Sequence, residues 1–409
     1  MKNLIVLIVI LIFPVFLFSA NLCSDSLVYY GTDSVAGMGM DSTGHYWIVT
    51  VDGLGYKSLI IDAVQVGRFI DINNLAFSRD GRRWACFVRS NVSWAVLTSE
   101  STIPIFCDTV SSLGFSGNSR ELYYSFVIGS EVNFVIGDRT IRGFNATGDF
   151  FISQGGERFA LMGYRGNTMV LTINGWETQS FDEIKPFGFM YDGSFLFAGR
   201  SGNRWEVYRD KKSITEPLIN VWDLRLNGDG TVAAFLAKPS QSQGVAIMVS
   251  DEYSEPMMSK SYDLVEGLTI HPTIPLIAFK ATYNGSQYVV LSNTEYSGGE
   301  TTGTPHFSYD GTQLYFAGCA TDCFINIDGQ RFNLYAMFSM MDNFAMKPRS
   351  QTIAYATATS LVIRYLGTKN LHAGKMVDQI ISPMYNWRTD EYMTLGIISN
   401  RVYLMKCRV

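Results

Sequence analysis

Six cysteines, at Cys23, Cys86, Cys107, Cys319, Cys323 and Cys407, are the side chains with the most chemistry to offer. Thiols pair, ligate metals or attack electrophiles, and spacing decides among these. A metal is not expected, because His45, His271, His306 and His372 stand apart and none has a second His or a Cys at ligand spacing. The sequence holds no Gly-x-Ser-x-Gly elbow, no His-Glu-x-x-His and no Gly-Lys-Ser/Thr phosphate loop. No catalytic residue and no cofactor is therefore assigned. Glycan hydrolysis would need carboxylates flanking the bond, or a Tyr/Glu nucleophile pair with clustered arginines, and the arginines here are scattered along the chain. One segment, Tyr253-Ser254-Glu255-Pro256-Met257-Met258-Ser259-Lys260, sets two methionines among turn residues. A protruding loop with soft apolar side chains can dock a partner, which makes Tyr253, Met257 and Met258 contact candidates; a tolerated insertion explains the segment equally well.

The scaffold for these residues is a chain of 409 residues, 47% hydrophobic, 14% aromatic and only 17% charged. That balance excludes disordered, collagen-like and Cys-dense classes. Against 11 Pro stand 37 Gly, with 27 Phe, 22 Tyr and 7 Trp, the composition of a turn-rich, β-prone protein with a sizeable core. The net charge of −5, with no basic run beyond Arg82-Arg83 and Lys211-Lys212, excludes a nucleic-acid footprint.

Met1-Lys2-Asn3, an apolar run from Leu4 to Phe18 and Ser19-Ala20 have the form of a secretory signal, with cleavage expected after Ala20. An uncleaved anchor is the alternative. No later segment is long and apolar enough to span, so the expected organisation is a signal over 1–20 and an exported, periplasmic or extracellular domain over 21–409 with no membrane span.

An internal period organises that domain. Leu75-Ala76-Phe77-Ser78-Arg79-Asp80-Gly81 leads into Trp84-Ala85-Cys86-Phe87, and Phe307-Ser308-Tyr309-Asp310-Gly311 leads into Leu314-Tyr315-Phe316; Asp192-Gly193 and Asp229-Gly230 stand in similar settings. Asp-Gly between β-prone runs signals a tight hairpin with positive φ at both central positions. With weaker copies included, turn positions fall at Gly44, Gly81, Ser119, Gly156, Gly193, Gly230, Ile274, Gly311, Ser350 and Glu391, ten repeats spaced by 37 to 44 residues. Each interval has room for four short strands, and a lone four-stranded sheet cannot cover its faces. An all-β propeller of four-stranded antiparallel blades is the predicted architecture, in one ring of ten or two rings of five.

The Phe-Ser-x-Asp-Gly turn followed by an apolar strand resembles the TolB-type, WD-like propeller repeats of bacterial secreted and periplasmic proteins. The resemblance covers nearly all of the mature chain and implies a binding or scaffolding role without naming a partner. Two departures stand out: Arg79 and Tyr309 occupy the place of that family's usual proline, and the copies at Ser119, Ile274 and Ser350 lack Asp-Gly. Ser78-Arg79-Asp80-Gly81-Arg82-Arg83-Trp84 also approaches the Asp-box of sialidase propellers but lacks the residue between Asp and Gly.

The expected function is a non-catalytic module that binds a protein or envelope component through one face and the channel mouth. The alternative is a glycan-acting hydrolase or lyase with its site at that mouth.

Ring closure also predicts disulfides. The last repeat stops before a fourth strand, so Leu27 to Tyr30 is expected to pair with Arg401 to Lys406, setting Cys23 beside Cys407. Cys319 and Cys323 flank one hairpin, while Cys86 and Cys107 lie two strands apart, near 10 Å at about 4.8 Å per strand, too far to bond.

Overall fold

The second repeat shows how the sequence builds each unit. Strands Asp71–Phe77, Trp84–Ser90, Ser93–Thr98 and Thr102–Ile105 follow one another in a single antiparallel sheet. Its second strand is an unbroken apolar run, and Ala85, Cys86, Phe87 and Val88 are all buried. That run requires cover on both faces, which only neighbouring sheets supply. Pro104 sits in the outermost strand, where no further strand needs its missing N–H.

The structure is a computed structural model and describes residues 23–408, except 42, 92, 145, 254, 335–343, 351, 357–360, 367–370 and 374. The signal expected over 1–20 lies outside the described residues. Among the described residues there is no helix; the strands form seven four-stranded sheets, one of five strands and one of nine. The nine-stranded sheet is two consecutive antiparallel runs joined through one parallel pairing, Gly299 with Cys319. First strands of successive sheets adjoin, as Asp71–Phe77 does Thr109–Phe115 and Asn220–Leu226 does Leu264–Ile270, so they form the inner wall of a β-propeller.

Apolar clusters fill the spaces between sheets. Leu196, Trp205 and Val207 meet Phe235, Val245 and Ile247 in one; Phe235 points one way from its strand while Leu236 joins Val265 and Phe279 in the next. Met393, Leu395 and Val402 of the last sheet pack on Tyr46, Ile48 and Ile60 of the first complete one. The circuit therefore closes through apolar packing as well as strand pairing. Cys23–Tyr30 pairs antiparallel with Arg401–Arg408, register Cys23 with Cys407, and forms the outer strand of the last sheet.

Two sequence expectations need correction. The Asp-Gly turns after the first strands are not two-residue turns. In the second repeat Ser78 N–H donates to Arg83 O and Gly81 N–H to Ser78 O, both at 2.8 Å, leaving four residues in the connection. Only Gly81, at φ 69°, is left-handed. The serine is the clamp: Ser78 Oγ accepts from Arg83 N–H at 3.0 Å, and Ser116, Ser153 and Ser308 take the N–H five residues on in the same way. The two-residue left-handed turn occurs instead at outer hairpins, where Asn174 and Gly175 (φ 48° and 87°) and Asp328 and Gly329 (49° and 91°) close third onto fourth strands. The other correction is at Glu391, which opens strand Glu391–Ile398; the turn is Trp387 to Asp390.

Candidate functional site

The clamped turns all leave the inner strands at one end of the propeller, so the residue after each clamp faces the channel mouth. Arg79, Gln154, Tyr191, Gly228, Tyr309 and Trp387 hold that place in their repeats. They converge from distant parts of the chain: Arg79 Nη1 and Gln154 Nε2 both donate to Gly228 O, at 3.0 and 3.2 Å. Tyr309 and Trp387 stack with centroids 5.7 Å apart and planes 14° apart. Arg388 lies over the Trp387 ring at 5.4 Å.

Between Arg79 and the turns of the sheets that begin with Asn220–Leu226, Leu264–Ile270 and His306–Phe307 lies a cavity of about 700 Å³. Arg225, Asp229, Asp310 and Tyr309 line it together with Arg79. Its carboxylates are engaged by their own turns. Asp229 Oδ1 accepts from Thr231 Oγ1 at 2.7 Å; Asp310 Oδ1 accepts from Ser308 and Thr312 hydroxyls at 2.8 and 2.7 Å, and its Oδ2 faces Arg349 at 3.3 Å. Burial opposes ionisation of Asp310, but the Thr312 and Ser308 hydrogen bonds and the Arg349 charge outweigh it and hold the carboxyl below its ordinary range. Asp80 is held low in the same sense, chiefly by Ser78 and the Arg82 N–H. Such groups accept hydrogen bonds and do not deliver protons near neutral pH. Arg225 Nε donates to Asp223 at 2.7 Å, whereas Arg79 has no carboxylate partner among the described residues.

The residues singled out in the sequence fall elsewhere. Cys23, on the outer strand of the closing sheet, and Cys407, on the strand beside it, sit at disulfide distance, Cα atoms 4.0 Å apart, and Cys319 and Cys323 do so across one hairpin. Cys86 and Cys107 are free; burial pushes their thiols up to about 12 and about 11, with Asp108 adding to the second. Met257–Met258 does not protrude as a loop but pairs with Ile247 and Met248 as the fourth strand of its sheet, because those two backbone groups complete an open edge. Both side chains stay exposed, and Met258 borders an outer groove of about 420 Å³ with Ile214, Pro217 and Pro256, which Tyr253 does not reach. Of the histidines, His45 bonds Asp62 at the rim and His271 is a buried link between turns. His306 lines the mouth cavity, and the side chain of His372 lies outside the described residues. Among the described residues no group of three His, Cys, Asp or Glu is placed to hold a metal.

Sequence reasoning missed the mouth residues. Their signal was the second turn position, which aligns once the period is set.

No family model matches the chain, and no curated protein matches it. Solved structures do. The chain is similar to the β-propeller domain of the Trilobed protease from Pyrococcus furiosus, with 10% identity, TM-score 0.34, and 69% of this chain and 99% of that one covered. It is also similar to the Dos1 propeller (9%, TM-score 0.41, 82% and 92%) and to an oligogalacturonate lyase in complex with manganese (8%, TM-score 0.41, 93% and 98%).

Proposed function

We propose that the protein is an exported, TolB-type propeller of ten repeats in one ring, acting as a non-catalytic module that binds an envelope component through its turn face. The single observation that carries this is the convergence of variable, solvent-facing side chains on a cavity framed by clamped turns. Clamped loops hold a recognition surface still at little entropic cost, and Tyr, Trp and Arg are the side chains that dominate binding surfaces. Ten repeats are supported by the apolar clusters between successive sheets and by reading the nine-stranded sheet as two units. Export is supported by two cysteine pairs at disulfide distance, which persist in oxidising compartments.

The rival in its hydrolase form, acting on glycans, needs a carboxyl whose pKa is raised so that it can protonate the leaving oxygen. Asp310 at the mouth is shifted the other way.

Affinity capture from envelope extract tests the reading. The wild-type chain should retain a partner that is lost on combining Tyr309→Ala with Trp387→Ala. Tyr253, Met257 and Met258 are proposed as a second, outer contact, so Met257→Ser with Met258→Ser should reduce capture without abolishing it. Capture insensitive to the mouth pair, or no capture at all, contradicts the assignment of the turn face.

A further inference from the structure

We propose that the mouth cavity takes a neutral saccharide chain, with the Tyr309 ring, backed by Trp387, as the platform for a pyranose face and Arg79, Arg225, Asp229 and Asp310 as hydroxyl partners. This rests on the binding-module reading and names the ligand class for the same site.

The aromatic surface is the first reason. Tyr309 is 61% exposed although one face of its ring packs on Trp387, which in turn carries Arg388 over its ring, so the face offered to a ligand is that of Tyr309. The stack bridges two turns some 78 residues apart in sequence, so it is fixed by the ring and not by a flexible loop. A rigid flat π-face with negative potential matches the polarised C–H groups on one face of a sugar ring. A protein docking patch of the usual kind would centre on a flat, desolvated apolar core, whereas Tyr309 lines a concave cavity of about 700 Å³ whose wall sets arginines and aspartates among apolar side chains.

Charge is the second reason. The cavity lining sets two arginines, Arg79 and Arg225, against two aspartates, Asp229 and Asp310, so the lining charges balance and favour neither a polyanion nor a polycation. A sugar hydroxyl both donates and accepts, and a site for it must offer both kinds of partner. Guanidinium N–H groups beyond the Gly228 and Asp223 contacts supply donors. The two carboxylates supply acceptors, each with lone pairs left over after its turn contacts. Because those carboxylates are already held by Thr231, Ser308 and Thr312, little freedom is lost when they engage a ligand.

Calorimetric and tryptophan-fluorescence titration of the exported chain with cellotetraose, chitotetraose and maltotetraose tests the proposal. At least one should bind saturably, and a galacturonate tetramer should bind more weakly than the best neutral one. Trp387→Ala and Arg79→Ala should each raise the dissociation constant about tenfold or more. Trp387→Phe should recover most of the affinity, and Leu54→Ser, on an exposed turn away from the mouth, should leave it unchanged. Unaltered thermal unfolding of the variants excludes a folding defect. No saturable binding of any of the three, or binding indifferent to Trp387→Ala, overturns the saccharide assignment. If the tetrasaccharides fail while envelope capture still depends on Tyr309 and Trp387, only this inference falls; if both fail, the binding-module reading falls with it.

Discussion

His271 shows how one side chain can hold two repeats in register. Its Nδ1 accepts the N–H groups of Thr273 and Ile274 at 3.1 and 3.2 Å, which leaves the proton on Nε2 to donate to Gly311 O at 2.9 Å in the next turn. A second proton would have to sit on Nδ1 and would break both local bonds. Burial accordingly pushes its pKa below the ordinary 6.5, against the pull of the Gly311 carbonyl and of the Asp310 charge. The unfolded chain then takes the proton more readily than the folded one. This contribution to stability is full above pH 6.5 and is lost as pH falls through 6.5 toward the lower folded value. Asp310, held low, titrates below that window. Between about pH 7.5 and about pH 5.5 the wild-type urea midpoint should fall more than that of His271→Gln. Equal falls would show that His271 carries no such linkage.

At the scale of elements, the recurrent device is a bulge in the first strand. Pairing shifts between Asn73 and Ala76, between Trp222 and Arg225, and between Glu266 and Thr269, with Asn74, Asp223 and Gly267 in left-handed backbone at φ 51°, 50° and 62°. The first two bulges turn a side chain toward the neighbouring sheet. Asn74 Nδ2 donates to Ser111 O, and Asp223 Oδ2 accepts the N–H of fully buried Leu268 at 2.9 Å while its Oδ1 holds Arg225 at the mouth. Asp223→Ala strands that amide and frees Arg225. It should cost about 1–3 kcal/mol in denaturant unfolding and weaken ligand binding as well. Asp223→Asn should recover part of the stability. An unchanged midpoint in the alanine variant would show that the inner belt contributes nothing.

Strand content and hairpin positions were legible because the period marks them: Ser78, Ser116, Ser153 and Ser308 recur with their clamps. The bulges were not, since Asn74, Asp223 and Gly267 share only a tolerance of positive φ. Nor was the site. Arg79, Tyr309 and Trp387 have no chemistry in common, and only closure of the ring brings them within reach.

Closure is the property of the whole molecule on which the mouth depends. Without the pairing of Cys23–Tyr30 to Arg401–Arg408, the last sheet loses its outer strand and the wall of Met393, Leu395 and Val402 against Ile48 loses support. A bond between Cys23 and Cys407, 384 residues apart, would remove up to about 6 kcal/mol of unfolded-state entropy; one across the Cys319–Cys323 hairpin would remove about 2. The two remaining thiols, raised to about 12 and about 11, should stay unreactive toward a thiol reagent near neutral pH until the chain unfolds. Non-reducing peptide mapping of the protein reads all six cysteines at once. The account predicts Cys23 linked to Cys407, Cys319 linked to Cys323, and Cys86 and Cys107 free. Cys23 and Cys407 recovered as free thiols, or joined to other partners, would contradict the closed ring.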